Sequence, residues 1–289
     1  MSAASGDVLG CLLGGALGDA FGGVAERGRP CLSDDTQLTL ATCEAILTDG
    51  KIAPASIAAT FRSWFVARRL SGLGSATLKS LRDLEAGAHW GIAGARGEMA
   101  AGNGGAMRIA PLAFVLDAKS DRQIIRDVVS ITHRNDEAYL GALAVVVALQ
   151  NPNATSPSDL LQRVAGELPD SRVRDNLSAV AASGSVEDLR ALAQRFGSSG
   201  YVVETVPLAL AAGWQMVSRG VQPVLAELAT AGGDTDTIAS IAGQFGGAQP
   251  GVAGLPDELM AQLPERDWIT DLASRFSAFV ESRRTSGIS

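Results

Sequence analysis

Two short stretches of this chain gather carboxylates at places where they could do chemistry. "GGDTDTIASIAGQFGGA" holds Asp234 and Asp236 one residue apart, then Thr237, then a run small and apolar enough to be buried. "CLSDDTQLTLATCEAIL" holds Ser33, Asp34, Asp35 and Thr36 ahead of a second apolar helical run. One reading of each is helix capping, because acids at a helix start accept backbone N–H groups and complement the dipole. Asp34 with Gln37 even resembles a capping box. The other reading is a ligand set. The two turns together offer four carboxylates and two or three alcohol oxygens, the all-oxygen donors that hard cations such as Mg²⁺ and Mn²⁺ select. Four carboxylates exceed the usual share of one Mg²⁺ and fit two metals. The turns lie about 200 residues apart, so this reading requires the fold to bring them together.

Three further segments carry candidate groups. "GCLLGGALGDAFGGVAE" has glycines at 10, 14, 15 and 18, a poor pattern for a solvated helix and a good one for a helix crossed closely by another. Its acids read either as a helix-end acid (Asp19) and a loop acid (Glu26), or as part of a site. "GNGGAMRIAPLAF" places Asn103 among glycines before an apolar run, with Arg108 one turn in. Backbone N–H groups there could approach a phosphate, although neither P-loop nor dinucleotide-binding spacing is present. "ITHRNDEAYLGALAV" sets His133, one of two histidines, before a helix, where it either lines a pocket or caps.

The elements that must position these groups are helical. Helix-like apolar spacing predicts Val8–Ala20, Asp35–Thr48, Ala55–Arg69, Ala76–Ala86, Gly105–Leu116, Gln123–Thr132 and Asn135–Leu149. It continues through Pro157–Ala165, Val186–Phe196, Tyr201–Ser218, Pro223–Ala229, Thr235–Phe245 and Trp268–Glu281. No stretch alternates cleanly, so the expected class is all-α, and the lack of a linker or repeat suggests one domain over residues 1–289 with a frayed tail. With 46% hydrophobic residues but only 5% aromatic, the core is expected to be tight and built from small side chains. A net charge of −7 without a basic block argues against a nucleic-acid surface. Three cysteines, no basic leader and an 11-residue longest apolar run lead us to expect a cytoplasmic protein without membrane partners. A monomer is expected.

Taken in order, "GCLLGGALGDAFGGVAE", "SDDT", "GNGGAMR", "THRNDEA" and "GGDTDTIASIAGQFGGA" resemble the ADP-ribosylglycohydrolase family over roughly residues 6–250. "GYVVETVPLAL" also looks like the branch that includes the dinitrogen-reductase-activating hydrolases. The resemblance implies an orthogonal helical bundle with a binuclear Mg²⁺ or Mn²⁺ centre at helix N-termini. It implies metal ligation by Ser33, Asp34, Asp35, Asp234, Asp236 and Thr237, with Asp236 bridging. It implies catalytic roles for Glu26 and Asp35, and an ADP-ribose cleft lined by Asn103, Gly104, Gly105, Ala106, Met107, Arg108 and His133. The implied substrate is ADP-ribose attached through C1″ to a protein side chain or another acceptor, cleaved there to release ADP-ribose, with ADP-ribose or an ADP-ribosylated protein as the implied partner; the alternative is an ADP-ribose-binding module with weak or no catalysis. The sequence departs from the family pattern in three places. Ser33 replaces the usual Thr and keeps the oxygen. Only six residues separate Glu26 from Ser33, which implies a more open cleft. Gly72 stands where arginine-specific members tend to carry Asp.

Overall fold

The computed structural model describes residues 6–151, 153–184, 186 and 188–286, except the side chain of Glu26. The helix Val8–Gly22 begins where Asp7 accepts the Gly10 N–H, and nearly all of its residues are buried. Glycines four residues apart give it a flat face. The helix Thr235–Ala248 lies against that face in the opposite direction. A Cβ built on Gly10 would stand 2.4 Å from the Gly247 carbonyl oxygen, one on Gly14 2.3 Å from that of Gly243, and one on Gly18 1.9 Å from that of Ala239. Backbone therefore touches backbone along the crossing, as the spacing predicted.

On its other side Thr235–Ala248 packs on Val202–Arg219, where Gly213 faces the Ala242 carbonyl and Gly246 faces Met216. Val202–Arg219 contains Pro207, which cannot donate to the Val203 carbonyl four residues back. Asn176 Nδ2 donates to that carbonyl at 2.7 Å, so the oxygen freed by the proline is satisfied. Asp136–Leu149 closes in through Gly141, against Val202. The result is the expected all-α bundle. Among the described residues the only strands are Ala95–Arg96 and His133–Arg134, a parallel pair of two residues each. Among the described residues no helix is long and apolar enough to cross a membrane. Cys11, Cys31 and Cys43 are free thiols.

Several elements differ from the sequence expectation: the short helices Val24–Arg27, Trp90–Ala93 and Asp257–Gln262 and the two strands were not anticipated, and the last helix, Arg266–Ser286, runs into the tail expected to fray. The predicted helix Gly105–Leu116 is broken into a 3₁₀ turn at Asn103–Gly105 and a short helix at Ala110–Ala113. Pro111 starts the second piece, because its ring suits a first helical turn and not an interior. The helix Arg172–Ala181, which carries Asn176, was not anticipated; its apolar face is only Val173, Leu177, Val180 and Ala181 within a charged stretch. The helix expected from Val186 starts at Leu189, where the Asp188 side chain caps the Ala191 N–H.

The helix crossing makes a direct prediction. Gly18→Ala forces a methyl into the Ala239–Ser240 backbone of the facing helix, and unfolding in urea should show a loss of about 2 kcal/mol. Gly166→Ala is the control, since a Cβ there meets nothing within 4 Å; it should be neutral or stabilise by up to about 1 kcal/mol.

Candidate functional site

Antiparallel packing places the end of Val8–Gly22 beside the start of Thr235–Ala248, and Asp19 beside Asp236. Asp35, in the first turn of the helix Asp34–Asp49, completes the group: carboxylate oxygens of Asp19, Asp35 and Asp236 lie within 4.8 Å of one another. Asp234 sits at the N-cap of its helix but makes no side-chain cap bond. At the other turn Ser33, not Asp34, is the N-cap, its Oγ accepting the Asp35 N–H at 3.2 Å. Gln37 exchanges hydrogen bonds with Ser71 and takes no part in a capping box.

Asp19 is the organiser that sequence reasoning set aside as a helix-end acid. It has no exposed surface. Its Oδ2 accepts the Ser33 N–H (2.9 Å), the Thr36 N–H (3.2 Å) and the Thr36 hydroxyl (2.6 Å), and Ser33 Oγ lies 2.8 Å from its Oδ1. The whole Ser33–Thr36 turn is folded around one carboxylate. The available signal was an ionisable residue inside an otherwise apolar, glycine-rich helix. The two acidic turns are joined directly, Thr237 Oγ1 donating to Asp35 Oδ2 at 3.2 Å. Arg27, also unanticipated, donates to the Asp19 carbonyl at 2.6 Å and stands 3.3 Å from Asp236 Oδ2.

The opposite wall is the glycine-rich turn. Asn103 Nδ2 donates to Asp234 Oδ2 at 2.6 Å and to Thr205 Oγ1 at 3.0 Å, so it braces the acids as well as facing the cleft. A loop that the sequence did not flag fastens both walls. The Asp234 N–H donates to the Ser198 carbonyl (2.7 Å) and the Asn103 N–H to the Gly200 carbonyl (3.0 Å). Gly233 has φ +84°, and a Cβ on it would lie 2.2 Å from that same Ser198 oxygen. The glycine before Asp234 is thus required both by its conformation and by the close approach.

Between the walls lies a cleft of about 320 Å³. Asp34, Asp35, Asp234, Asp236 and Thr237 line one side; Asn103, Gly104, Met107 and His133 line the other. Gly72, Thr77 and the exposed Met99 complete its rim. Of the residues expected at the site, Ser33 stands behind the acids. Gly105, Ala106 and Arg108 do not line the cleft, and Arg108 is fully buried because its side chain turns inward. Glu26 belongs to the helix Val24–Arg27, and its side chain lies outside the described residues. A larger hollow of about 670 Å³ beside Trp214 and Arg219 gathers no comparable set of acids.

Crowding buried acids has a clear electrostatic signature. Burial first, then the charges of Asp19 and Asp34, hold the Asp35 carboxyl well above the usual range. Asp34 is pushed up to about 8 by burial and then by Asp19. Asp234 rises to about 7, again chiefly through burial, with the Asn103 bond opposing. Asp35 Oδ1 is buried and has no hydrogen-bond partner. An orphaned carboxylate oxygen inside an all-oxygen, strongly negative group fits a hard divalent cation. On the other wall His133 falls to about 3, through burial and then the nearby Arg108, and is neutral at ordinary pH.

This fold and this pairing of acidic turns with a glycine-rich wall define a known class. The chain belongs to the ADP-ribosylglycohydrolase family, whose model matches residues 2–286. Among its relatives is the ADP-ribosylarginine hydrolase Tri1 of Pseudomonas putida, 29% identical over 91% of this chain and 76% of the relative. Another is the ADP-ribosylhydrolase ARH3 of Danio rerio, 26% identical over 92% of this chain and 88% of the relative. A solved structure titled "ADP-ribosylglycohydrolase-related protein complex" shares the fold with a TM-score of 0.72 at 23% identity, covering 97% of this chain and all of that one. Family membership supports ADP-ribosyl hydrolase activity in general.

The raised carboxyls predict a pH dependence. Their folded pKa values exceed the unfolded value of about 3.9, so the folded state binds more protons than the unfolded state between the two. Stability conferred by that binding is complete below about pH 4 and is lost as pH rises through the folded values. Chelator-treated protein should therefore lose melting temperature from about pH 5 to about pH 8, as followed by circular dichroism. Millimolar Mg²⁺ or Mn²⁺ should restore more at the higher pH, where the ligands are already ionised.

Proposed function

We propose that the protein is a divalent-cation-dependent hydrolase that cleaves the C1″ glycosidic bond between ADP-ribose and an acceptor, releasing ADP-ribose. The observation that carries this reading is the convergence of Asp19, Asp35 and Asp236 from three distant segments beside the Asn103–Gly104 wall. Asp34, Asp35, Asp234, Asp236 and Thr237 would hold two cations, Mg²⁺ or Mn²⁺, while Ser33, expected as a ligand, stands behind them bonded to Asp19 and Asp35. When bound, such cations supply Lewis acidity and a positive anchor for ribose hydroxyls. The cation-like transition state at C1″ forms beside these carboxylates, which favour developing positive charge. Glu26 orients the attacking water and accepts its proton, with Asp35 as the second candidate for that role.

The glycine-rich wall takes the anionic half of the substrate. Gly102 and Gly104 line the cleft without a side chain, so a pyrophosphate oxygen can approach the backbone of this turn. His133 adds a donor that carries no charge. An acidic protein can in this way bind an anion through local N–H groups.

Gly72 bears on the choice of bond. It has φ +76° on the cleft rim, and a Cβ there would press on Ser33 at 3.1 Å. A side chain added here would be strained and tight, and the glycine itself supplies no carboxylate, so an arginine leaving group finds no acid from this position.

The direct experiment incubates the protein with arginine- and serine-linked ADP-ribosyl peptides and each cation in turn. Free ADP-ribose is the expected product. Release of AMP or phosphate would point to a phosphoester hydrolase, and tight binding without release would favour a binding module. Glu26→Gln should lower turnover by roughly 100-fold or more while ADP-ribose still binds. Comparison of kcat/KM on the two linkages should show no strong preference for arginine; a large preference would assign the leaving-group acid to some other residue.

A further inference from the structure

Arg108 has no exposed surface, and its Nε and Nη1 are buried without a hydrogen-bond partner. Its Nη2 donates to Thr132 Oγ1 at 2.7 Å and to the Val128 carbonyl at 3.3 Å, while its Cζ stands 4.9 Å from the centre of the Phe61 ring. A buried guanidinium with two unbonded nitrogens is costly, and its one short side-chain bond is the one to Thr132. That bond has a definite direction. A guanidinium carries donors only, so Thr132 Oγ1 accepts from Arg108. The single Thr132 proton is left to donate, and the acceptor within reach among the described residues is His133 Nδ1 at 2.8 Å.

A ring nitrogen that accepts a hydrogen bond carries no proton, and the proton of the neutral ring must then sit on Nε2. Nε2 belongs to the edge of the ring that meets the glycine-rich turn. A Cβ on Gly102 would lie 3.2 Å from it, and one on Gly104 only 2.6 Å from the adjoining Cε1. His133 lines the cleft, and Nε2 has no partner among the described residues. We propose that Arg108, acting through Thr132, is a positioning residue that fixes His133 as the Nε2–H tautomer and so presents one uncharged donor to the cleft. The burial that keeps the ring neutral serves the same end. An imidazolium facing the carboxylate wall would favour pairing with the acids; a neutral N–H is left for an oxygen of the ligand. The chemical class it takes is a phosphate or hydroxyl oxygen. That the oxygen belongs to ADP-ribose rests on the proposed function; the tautomer does not.

Nitrogen NMR of the ligand-free protein at neutral pH tests the relay. The chain has two histidines, His89 and His133, and His89→Gln removes the first set of signals. His133 should show a pyridine-type Nδ1 and a pyrrole-type Nε2. Thr132→Val keeps the shape but removes the proton, and should turn this into a mixture of tautomers; Thr132→Ser should restore the wild-type pattern. Arg108→Gln, which can accept as well as donate, should also produce a mixture. A wild-type proton on Nδ1, or a Thr132→Val spectrum identical to wild type, overturns the proposal, and the Thr132 pair decides it even if Arg108→Gln does not fold. Titration with ADP-ribose should show binding weakened in Thr132→Val by the inverse of the Nε2–H fraction that the spectrum reports, about twofold for an equal mixture, and recovered in Thr132→Ser. If wild-type protein binds no ADP-ribose while the tautomer shifts as stated, the ligand assignment fails and the relay stands.

Discussion

The site depends on how closely two helices approach. Val8–Gly22 and Thr235–Ala248 run antiparallel with Gly10 facing Gly247, Gly14 facing Gly243 and Gly18 facing Ala239. Interaxial distance is set by the side chains at the contact, and here there are almost none. The same register brings Gly22 against Thr235 and Asp236, so the two ends that carry Asp19 and Asp236 arrive together. A longer side chain anywhere along this seam would separate acids that must share a few ångströms. The position of the carboxylates is therefore a consequence of backbone packing some distance away from them.

Bringing acids together has a cost, and the surrounding residues offset it only in part. Ser33, Thr36, Thr237 and Asn103 contribute neutral donors, and Arg27 contributes one partly buried positive charge. The carboxyls of Asp34, Asp35 and Asp234 are nevertheless held above their ordinary range, because burial and mutual repulsion outweigh those bonds. Fixed negative charge in excess of its own compensation is the property that gives a divalent cation a foothold. The facing wall is built on the opposite plan. Its glycines expose backbone, its histidine is kept neutral, and its one buried cation, Arg108, is held behind the surface. One wall is acidic and the other is glycine-rich with a neutral histidine, and Asn103 is bonded across the two.

Much of this was legible because it is local. The acids of "SDDT" and "GGDTDT" announce themselves by type and by the apolar runs behind them, and the glycines of the first helix announce a close crossing. What was not legible depends on partners far along the chain. Asp19 read as a helix-end acid because its partners, Ser33 and Thr36, come from another turn. Arg108 read as a cleft residue because "GNGGAMR" does not say which way a side chain turns; Thr132 and Phe61 decide that. The helix Arg172–Ala181 has weak periodicity of its own and is fixed by packing, while its Asn176 supplies the donor that Pro207 cannot.

The sequence by itself determined the helical class, the family and the two acidic turns, since periodicity and residue type are properties of neighbouring positions. The tertiary structure alone decided which acid organises the turn, that Asn103 binds Asp234, and that Arg108 stands behind His133 and not beside it. These are contacts between segments up to about 200 residues apart, and their geometry is set by the closeness of helix packing. Spacing along a chain fixes what a residue can do, whereas the direction of its side chain and the proton it holds depend on what lies across from it.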